Sequence, residues 1–348
     1  KAALWELKII LISNILIWEL LVNFSMRKNR LKKILIIRKI HESGIELLKS
    51  REDFIYEMVD NTDSEILRNH IQEFDGIAVR TTKLNSDLIN KATKLKIISR
   101  HGVGYDNIDT KTIKEKNITL AITGSANAAA VAEHVMFMIL SISKGKEMYD
   151  KCVRSGEFAK RNLLPKVIEL SNKKILIAGF GRVGQSLIKR CKGFEMDIYV
   201  FDPFVDKNKI ESLGGKKVEV IGSVLGDIDY ISLHMPLNEK TKNMVNFDLM
   251  KKMKNTCVIV NTARGGIINE LDLNKALNEN IIYGAGLDVF ENEPPSEENP
   301  LLKNKKVFLS PHTASFTREC MKRMGEETIK NIIDFFDGKL EKSMIVKL

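Results

Sequence analysis

The sequence predicts an α/β protein built from two doubly wound parallel-sheet domains with a cleft between them. Three observations lead there. Short continuous apolar runs alternate with amphipathic stretches along most of the chain. Such runs belong to strands buried on both faces, which implies parallel sheets covered by helices. One run, Ile175–Ala178, leads straight into a glycine-rich turn and then a helical pattern. The length, 348 residues, is enough for two cores.

In the first domain Lys33–Ile37 reads as a buried strand and Glu42–Ser50 as a helix with Ile45, Leu47 and Leu48 on one side. Ile77–Val79 and Leu95–Ser99 read as further strands, with a helix around Ser86–Lys91 between them. The second domain opens at the Ala-rich segment Asn127–His134, which begins a long helix to about Ser141. A second helix spans about Lys144–Ser155. Six strands are then expected: Lys174–Ala178, Asp197–Phe201, Tyr230–Leu233, Thr256–Asn261, Ile282–Leu287 and Val307–Leu309. The last helix, about Thr317–Phe336, carries Met321, Met324, Ile329, Ile332, Ile333 and Phe336 at helical spacing. That stripe reads as core, and the helix is expected to return to the first domain. The resulting division is 26–125 plus 313–348 for one domain and 126–312 for the other. There is no internal repeat and no low-complexity segment.

The composition is globular, with 44% apolar and 29% charged residues. The net charge of +10 is spread along the chain, and no basic run is interleaved with aromatics. Nucleic acid is therefore not expected as a partner, whereas a small anion and a dinucleotide suit the charge. Cys152, Cys191, Cys257 and Cys320 are widely spaced, as reduced thiols of a cytoplasmic protein would be, and no metal site is expected. Ile9–Phe24 is strongly apolar but interrupted by Asn14 and Glu19, which argues against a membrane span or a signal peptide. The simplest reading takes Met26 as the natural start and residues 1–25 as an extension. An interaction helix and a membrane anchor are the alternatives.

The turn Gly179-Phe180-Gly181-Arg182-Val183-Gly184 has the GxGxxG spacing. Gly179 permits a tight turn, Gly181 lets backbone approach a pyrophosphate, and Gly184 lets helix and strand pack closely. A lone GxGxxG is weak evidence, but strand and helix flank it correctly here. Asp202 ends the next strand, eighteen residues after Gly184. A carboxylate there can accept from both ribose hydroxyls and repel a 2′-phosphate, which favours NAD over NADP. Its bland alternative is a residue capping the turn before Pro203.

Downstream lie NTARGG (Asn261–Gly266), ENEPP (Glu291–Pro295) and PHTAS (Pro311–Ser315). Arg264 follows an apolar strand, where loops of such sheets face the ligand crevice, and a guanidinium can grip a carboxylate in two places. Taken alone it could be an ordinary surface arginine. His312 can exchange a proton near neutral pH. Glu293, before Pro294-Pro295, would hold the imidazole in place. His41, His70 and His134 are weaker candidates, His134 reading as helix packing. His234 ends a strand where a cofactor cleft would lie.

These motifs in this order resemble the D-isomer-specific 2-hydroxyacid dehydrogenase family, with D-3-phosphoglycerate dehydrogenases and hydroxypyruvate reductases as the nearest kinds. The resemblance covers about residues 32–340 and, as a set, the motifs are specific. It implies two Rossmann-like domains and NAD as cofactor. It implies that Arg264 binds the substrate carboxylate and carbonyl, that His312 is the acid/base, and that Glu293 supports it. Arg182, Val183, Asp202, Met235, Thr262, Ala263 and Asp288 match family cofactor contacts, Met235 standing where phosphoglycerate enzymes often carry a polar residue. Arg100–Asn107 resembles the substrate loop, whose Val103 and Gly104 amides would grip the carboxylate. Val79–Lys83, with Arg80 and Lys83, resembles the segment facing substrate and nicotinamide. The expected substrate is 3-phosphoglycerate, in serine biosynthesis; hydroxypyruvate or glyoxylate, or another D-2-hydroxy acid, are the alternatives. No residues after Leu348 remain for a regulatory domain, so serine feedback is not expected. The family also implies a homodimer through the NAD-binding domain. A dinucleotide-sensing corepressor is the rival from another class.

Overall fold

The computed structural model describes residues 31–60 and 63–348. The expectations for residues 1–25 lie outside the described residues. The chain divides into two compact units, one made of the residues up to Gly124 together with Met321–Leu348, the other of Ser125–Cys320.

The first unit holds a five-stranded, wholly parallel sheet in the order β2-β1-β3-β4-β5. The strands are β1 (Lys32–Ile37), β2 (Phe54–Val59), β3 (Gly76–Val79), β4 (Ile97–Arg100) and β5 (Thr119–Ile122). β1, β3 and β4 match the apolar runs, whereas β2 and β5 are strands that the apolar pattern did not announce. Alternate residues face opposite layers. Leu35, Ile37, Ile77, Val79, Ile98 and Leu120 join one core with helices Ser64–His70, Ser86–Lys91 and Thr110–Glu115. Ile34, Ile36, Ala78, Ile97 and Ala121 join the other with helices Glu42–Lys49 and Arg318–Phe336.

The last helix is thus one of the two that cover this second face, with Ile329 and Ile332 fully buried. Asn331 Nδ2 donates to the Ile122 carbonyl at 3.1 Å, tying the helix to β5. Helices Glu42–Lys49 and Arg318–Phe336 meet through glycines: a Cβ on Gly44 would lie 2.5 Å from the Gly325 carbonyl oxygen. At the far end of the last helix Arg51 bridges Asp53 and Asp337, with both Nη–Oδ contacts to Asp337 at 3.0 Å.

The second unit holds a seven-stranded parallel sheet, β12-β11-β10-β9-β6-β7-β8. Its strands are β6 (Lys174–Ala178), β7 (Asp197–Phe201), β8 (Lys216–Val218), β9 (Tyr230–Leu233), β10 (Val258–Asn261), β11 (Gly284–Leu287) and β12 (Val307–Leu309). Six were expected; the seventh is the short edge strand β8. The first six strands in chain order have the 3-2-1-4-5-6 arrangement of a dinucleotide fold. β6 and β9 are neighbours, so the order reverses between them. Ligands bind at such a switch point, beyond the carboxyl ends of the strands. Helix Ala128–Ser143 is apolar nearly all round and covers one face with helix Arg182–Gly193, as a buried helix should. Among the described residues no single helix is long and apolar enough to cross a membrane.

Candidate active site

The glycine-rich turn sits at the switch point. Gly179 has φ +99°, and a Cβ there would lie 2.6 Å from the His234 carbonyl oxygen at the end of β9. Only glycine takes that conformation at that distance. A Cβ on Gly184 would lie 2.4 Å from the Gly179 oxygen, so helix and strand touch through it. Gly181 is the opposite case: nothing lies within 4 Å of a Cβ built there. Space therefore opens over the start of helix Arg182–Gly193, whose first amides have no helical partners and carry the positive end of its dipole. Arg182 and Val183 begin this helix, the first exposed and the second half-buried. Met235 is buried against Gly179.

Asp202 lies directly after β7. Its Oδ2 accepts from the Phe180 N–H at 2.7 Å and its Oδ1 from the Phe204 N–H at 2.9 Å. The turn-capping role is therefore real, and it braces the glycine loop as well. A carboxylate has about four acceptor positions, so about two remain for ribose hydroxyls.

Arg264 stands on a loop shaped by Asn261. The Asn261 Oδ1 accepts from the Ala263 N–H at 3.0 Å, and its Nδ2 donates to the Arg264 carbonyl at 2.8 Å. A Cβ on Gly265 would lie 1.8 Å from the Phe290 oxygen, so the backbones of this loop and the next are in contact. Glu293 follows on that next loop. The Glu293–Pro294 peptide is cis. Glu293 Oε1 accepts from the Phe290 N–H at 3.1 Å, and Oε2 lies 2.7 Å from His312 Nδ1. His312 has φ +53°, and its N–H donates to the Asp288 carbonyl at 2.8 Å. An apolar recess of about 440 Å³, walled by Phe290, Pro294, Leu302 and Leu309, backs the pair. The expected trio thus stands on three loops of one unit, beyond the carboxyl ends of β10, β11 and β12.

Comparison with known proteins bears on this arrangement. Residues 136–314 match the family model of the NAD binding domain of D-isomer specific 2-hydroxyacid dehydrogenases. The chain belongs to that family. It is 36% identical over 314 residues to a D-3-phosphoglycerate dehydrogenase of Methanocaldococcus jannaschii, covering 90% of this chain and 59% of that protein. It is 35% identical over 322 residues to a glyoxylate reductase of Thermococcus litoralis, covering 90% of this chain and 97% of that one. The chain therefore spans about three fifths of the first relative's length and nearly all of the second's. A crystal structure of a D-lactate dehydrogenase from Aquifex aeolicus, complexed with NAD and lactic acid, superposes with a TM-score of 0.80 at 26% identity, covering 90% of this chain and 98% of that one.

In this family member the residues of the turn fit NAD. The open space at Gly181 suits a pyrophosphate, and the buried Thr262 Oγ1 has no hydrogen-bond partner in the structure. Asp288, also expected to meet the cofactor, is 1% exposed. Its carboxylate accepts from the Ser310 hydroxyl at 2.5 Å, the Thr313 N–H at 2.8 Å and the Ala314 N–H at 2.9 Å. About three of its four acceptor positions are taken by the loop that carries His312. This clamping role was not foreseen from sequence, and neither was that of Asn261.

Electrostatics separate the histidines. Burial opposes the charge of Glu293, but the His312 hydrogen bond, the Phe290 N–H and Arg264 outweigh it, and the carboxyl is held below its ordinary range. Burial alone pulls His234 down to about 4; its Nε2 faces the Ser232 hydroxyl at 2.8 Å.

The expected substrate residues belong to the first unit. Val79, Arg100 and Ile122 share one register, so Arg80, His101 and Thr123 form the next row, beyond the strand ends. Burial first, and the charge of Arg38 second, lower the pKa of Arg80. His101 is buried, and desolvation with Arg80 and Arg100 pulls it down to about 3, so it is neutral at physiological pH. Arg100 is the last residue of β4, and its Nη1 folds back to the His101 carbonyl at 2.6 Å. Gly102 has φ +134°, and among the described residues the Val103 and Gly104 amides donate to no internal acceptor.

Proposed function

We propose that this protein is an NAD-dependent dehydrogenase of small D-2-hydroxy acids. The observation that carries the reading is the 2.7 Å contact of His312 Nδ1 with Glu293 Oε2. When bound, NAD supplies the hydride acceptor, and in the reverse direction NADH supplies the donor. Glu293 holds Nδ1, which leaves the other ring nitrogen of His312 to take the hydroxyl proton in oxidation and return it in reduction. Arg264 holds the substrate carboxylate and polarises the carbonyl. Gly179, Gly181, Arg182, Val183 and Gly184 would cradle the pyrophosphate and Asp202 the adenine ribose. Met235, Thr262, Ala263 and Asp288 would adjoin the rest of the cofactor. His312→Ala should lower kcat about 10²–10⁴-fold, the usual contribution of a positioned acid/base. Wild-type turnover of hydroxypyruvate and NADH in that variant would sink the assignment.

We further propose 3-phosphoglycerate as the substrate. Ile37 and Val79 pair across β1 and β3, so Arg38 and Arg80 follow side by side beyond the strand ends of the first unit, where two cations suit an anion. Arg80, Arg100 and the Val103 and Gly104 amides would serve the substrate. Reduction of hydroxypyruvate or glyoxylate is the second reading, favoured by the identity to a glyoxylate reductase. A panel of phosphohydroxypyruvate, hydroxypyruvate, glyoxylate and pyruvate with NADH and NADPH decides. Equal kcat/KM with and without the phosphate rejects the first reading, and a preference for NADPH rejects the role of Asp202.

We also infer a homodimer through the NAD-binding unit. Phe137 on the Ala-rich helix, Val153 on helix Lys146–Arg154, and Phe158 and Leu163 on the turn Phe158–Leu163 are 47–81% exposed, apolar side chains that a second copy would cover. Light scattering of Leu163→Glu beside the wild type checks it; a monomeric wild type would end the idea.

A further inference from the structure

His312 holds a left-handed backbone conformation that is unfavourable for a non-glycine residue, so its surroundings must enforce it. The loop is enforced by Asp288, and Asp288 is in turn reached from a distant helix. Leu287 and Leu309 pair across β11 and β12, so Asp288 and Ser310 emerge side by side. Helix Ala128–Ser143 lies directly on β11, because β11 carries glycines. A Cβ on Gly284 would lie 3.1 Å from Ile142, and one on Gly286 would lie 3.0 Å from Met138. Four helical residues rise about 6 Å. Two strand residues rise about 6.6 Å. The same register, one step further, sets His134 over Asp288.

The contacts agree with that register. His134 Nε2 lies 2.9 Å from Ser310 Oγ and 3.7 Å from Asp288 Oδ1. The proton order is forced. A carboxylate only accepts, so the single Ser310 hydroxyl proton goes to Asp288. Ser310 Oγ can then only accept from His134, whose Nε2 must carry hydrogen. Burial lowers the pKa of His134 and the Asp288 charge opposes it, with a net lowering.

We propose that His134 and Ser310 are positioning residues for His312: the chain His134–Ser310–Asp288 locks the loop that aims the imidazole at Glu293. Neither residue touches the reacting atoms. The proposal rests on the acid/base role given to His312 above.

The test compares His134→Leu, His134→Gln, Ser310→Ala and Ser310→Thr. Gln keeps a donor and Thr keeps the hydroxyl. The Leu and Ala variants should lose about tenfold in kcat, the worth of one good hydrogen bond. Their Kd for NADH should stay at the wild-type value. The Gln and Thr variants should recover to within about threefold of wild type. A second readout needs no substrate: the His312 Nδ1–H proton resonance should broaden or vanish in Ser310→Ala and persist in Ser310→Thr. Unchanged kcat and an unchanged resonance in both the Leu and Ala variants would overturn the proposal. So would equal losses in Gln and Leu that follow melting temperature alone. If His134→Leu does not fold, the Ser310 pair decides. A wild type inert on the whole substrate panel would reject the proposed function, whereas the resonance would still decide the positioning role.

Discussion

Glu293 shows how a single side chain links chemistry to stability. Its carboxyl is held below the ordinary carboxylate range, so the folded state binds its proton less readily than the unfolded chain. Its contribution is complete above the unfolded pKa and is lost as pH falls through the folded one. Between about pH 6 and about pH 3 the wild type should therefore lose more melting temperature than Glu293→Gln, an effect that parallel thermal scans would detect. The same variant should lower kcat about 10–100-fold with little change in KM for NADH, as loss of an orienting partner does. Equal kcat in the two proteins would remove Glu293 from the mechanism. Arg264, Glu293 and His312 stand out as candidates because each lies in a short motif and the order of the motifs is informative. The residues that hold them were not. Ser310 is 22 positions from Asp288 and 176 from His134. No local pattern joins residues so far apart; only the glycines of β11, which let a helix come close, hint at it.

Strands and helices carried unequal signals. β1, β3, β4, β6, β7, β9, β10, β11 and β12 read as apolar runs, and most are flanked on both sides. The strands missed, β2, β5 and β8, all lie at sheet edges. β2 is FIYEMV with only Phe54 buried, and β8 is the three-residue KKV. An edge strand lacks a neighbour on one side and tolerates charge, which dissolves the apolar run in β2 and β8; β5, TLAI, is uncharged and only four residues long. Helix contacts yield two further tests. Gly44→Ala gains about 1 kcal/mol of helix propensity. The Gly325 carbonyl 2.5 Å from the new Cβ cannot swing aside, and such overpacking costs about 1–3 kcal/mol, so the clash wins. Denaturant unfolding should show a net loss of stability; a gain would mean that the two helices slide freely. Arg51 lowers the pKa of both Asp53 and Asp337 through hydrogen bonds. Its bridge stabilises above the carboxylate range and fades as pH falls through the lowered values. Arg51→Met should cost about 1 kcal/mol near neutral pH, as a partly exposed network does, and less in acid.

Over the whole molecule, the organising fact is that one unit is written in two pieces. The division into two α/β bodies was legible in the strand–helix alternation, and the return of the last helix in its apolar stripe. What sequence could not convey is how much the first unit owes to that return: Ile329 and Ile332 are fully buried among residues of β1, β3, β4 and β5. Ile329→Ala should cost about 2–4 kcal/mol. A chain ending at Cys320 should keep NADH binding in its second unit while its first unit loses cooperative unfolding, which calorimetry would show as a missing transition. Two full transitions in that chain would contradict the role of the helix. The consequence reaches into protein synthesis. The ribosome makes the first sheet early and then spells out about two hundred residues of the other unit before delivering the helix that closes it. At about 5–20 residues per second, that is an interval of about 10–40 s. During it one apolar face of the nascent sheet has only helix Glu42–Lys49 as cover. The middle of the message should finish folding before the beginning does, and the nascent first sheet should be the segment that most needs a chaperone.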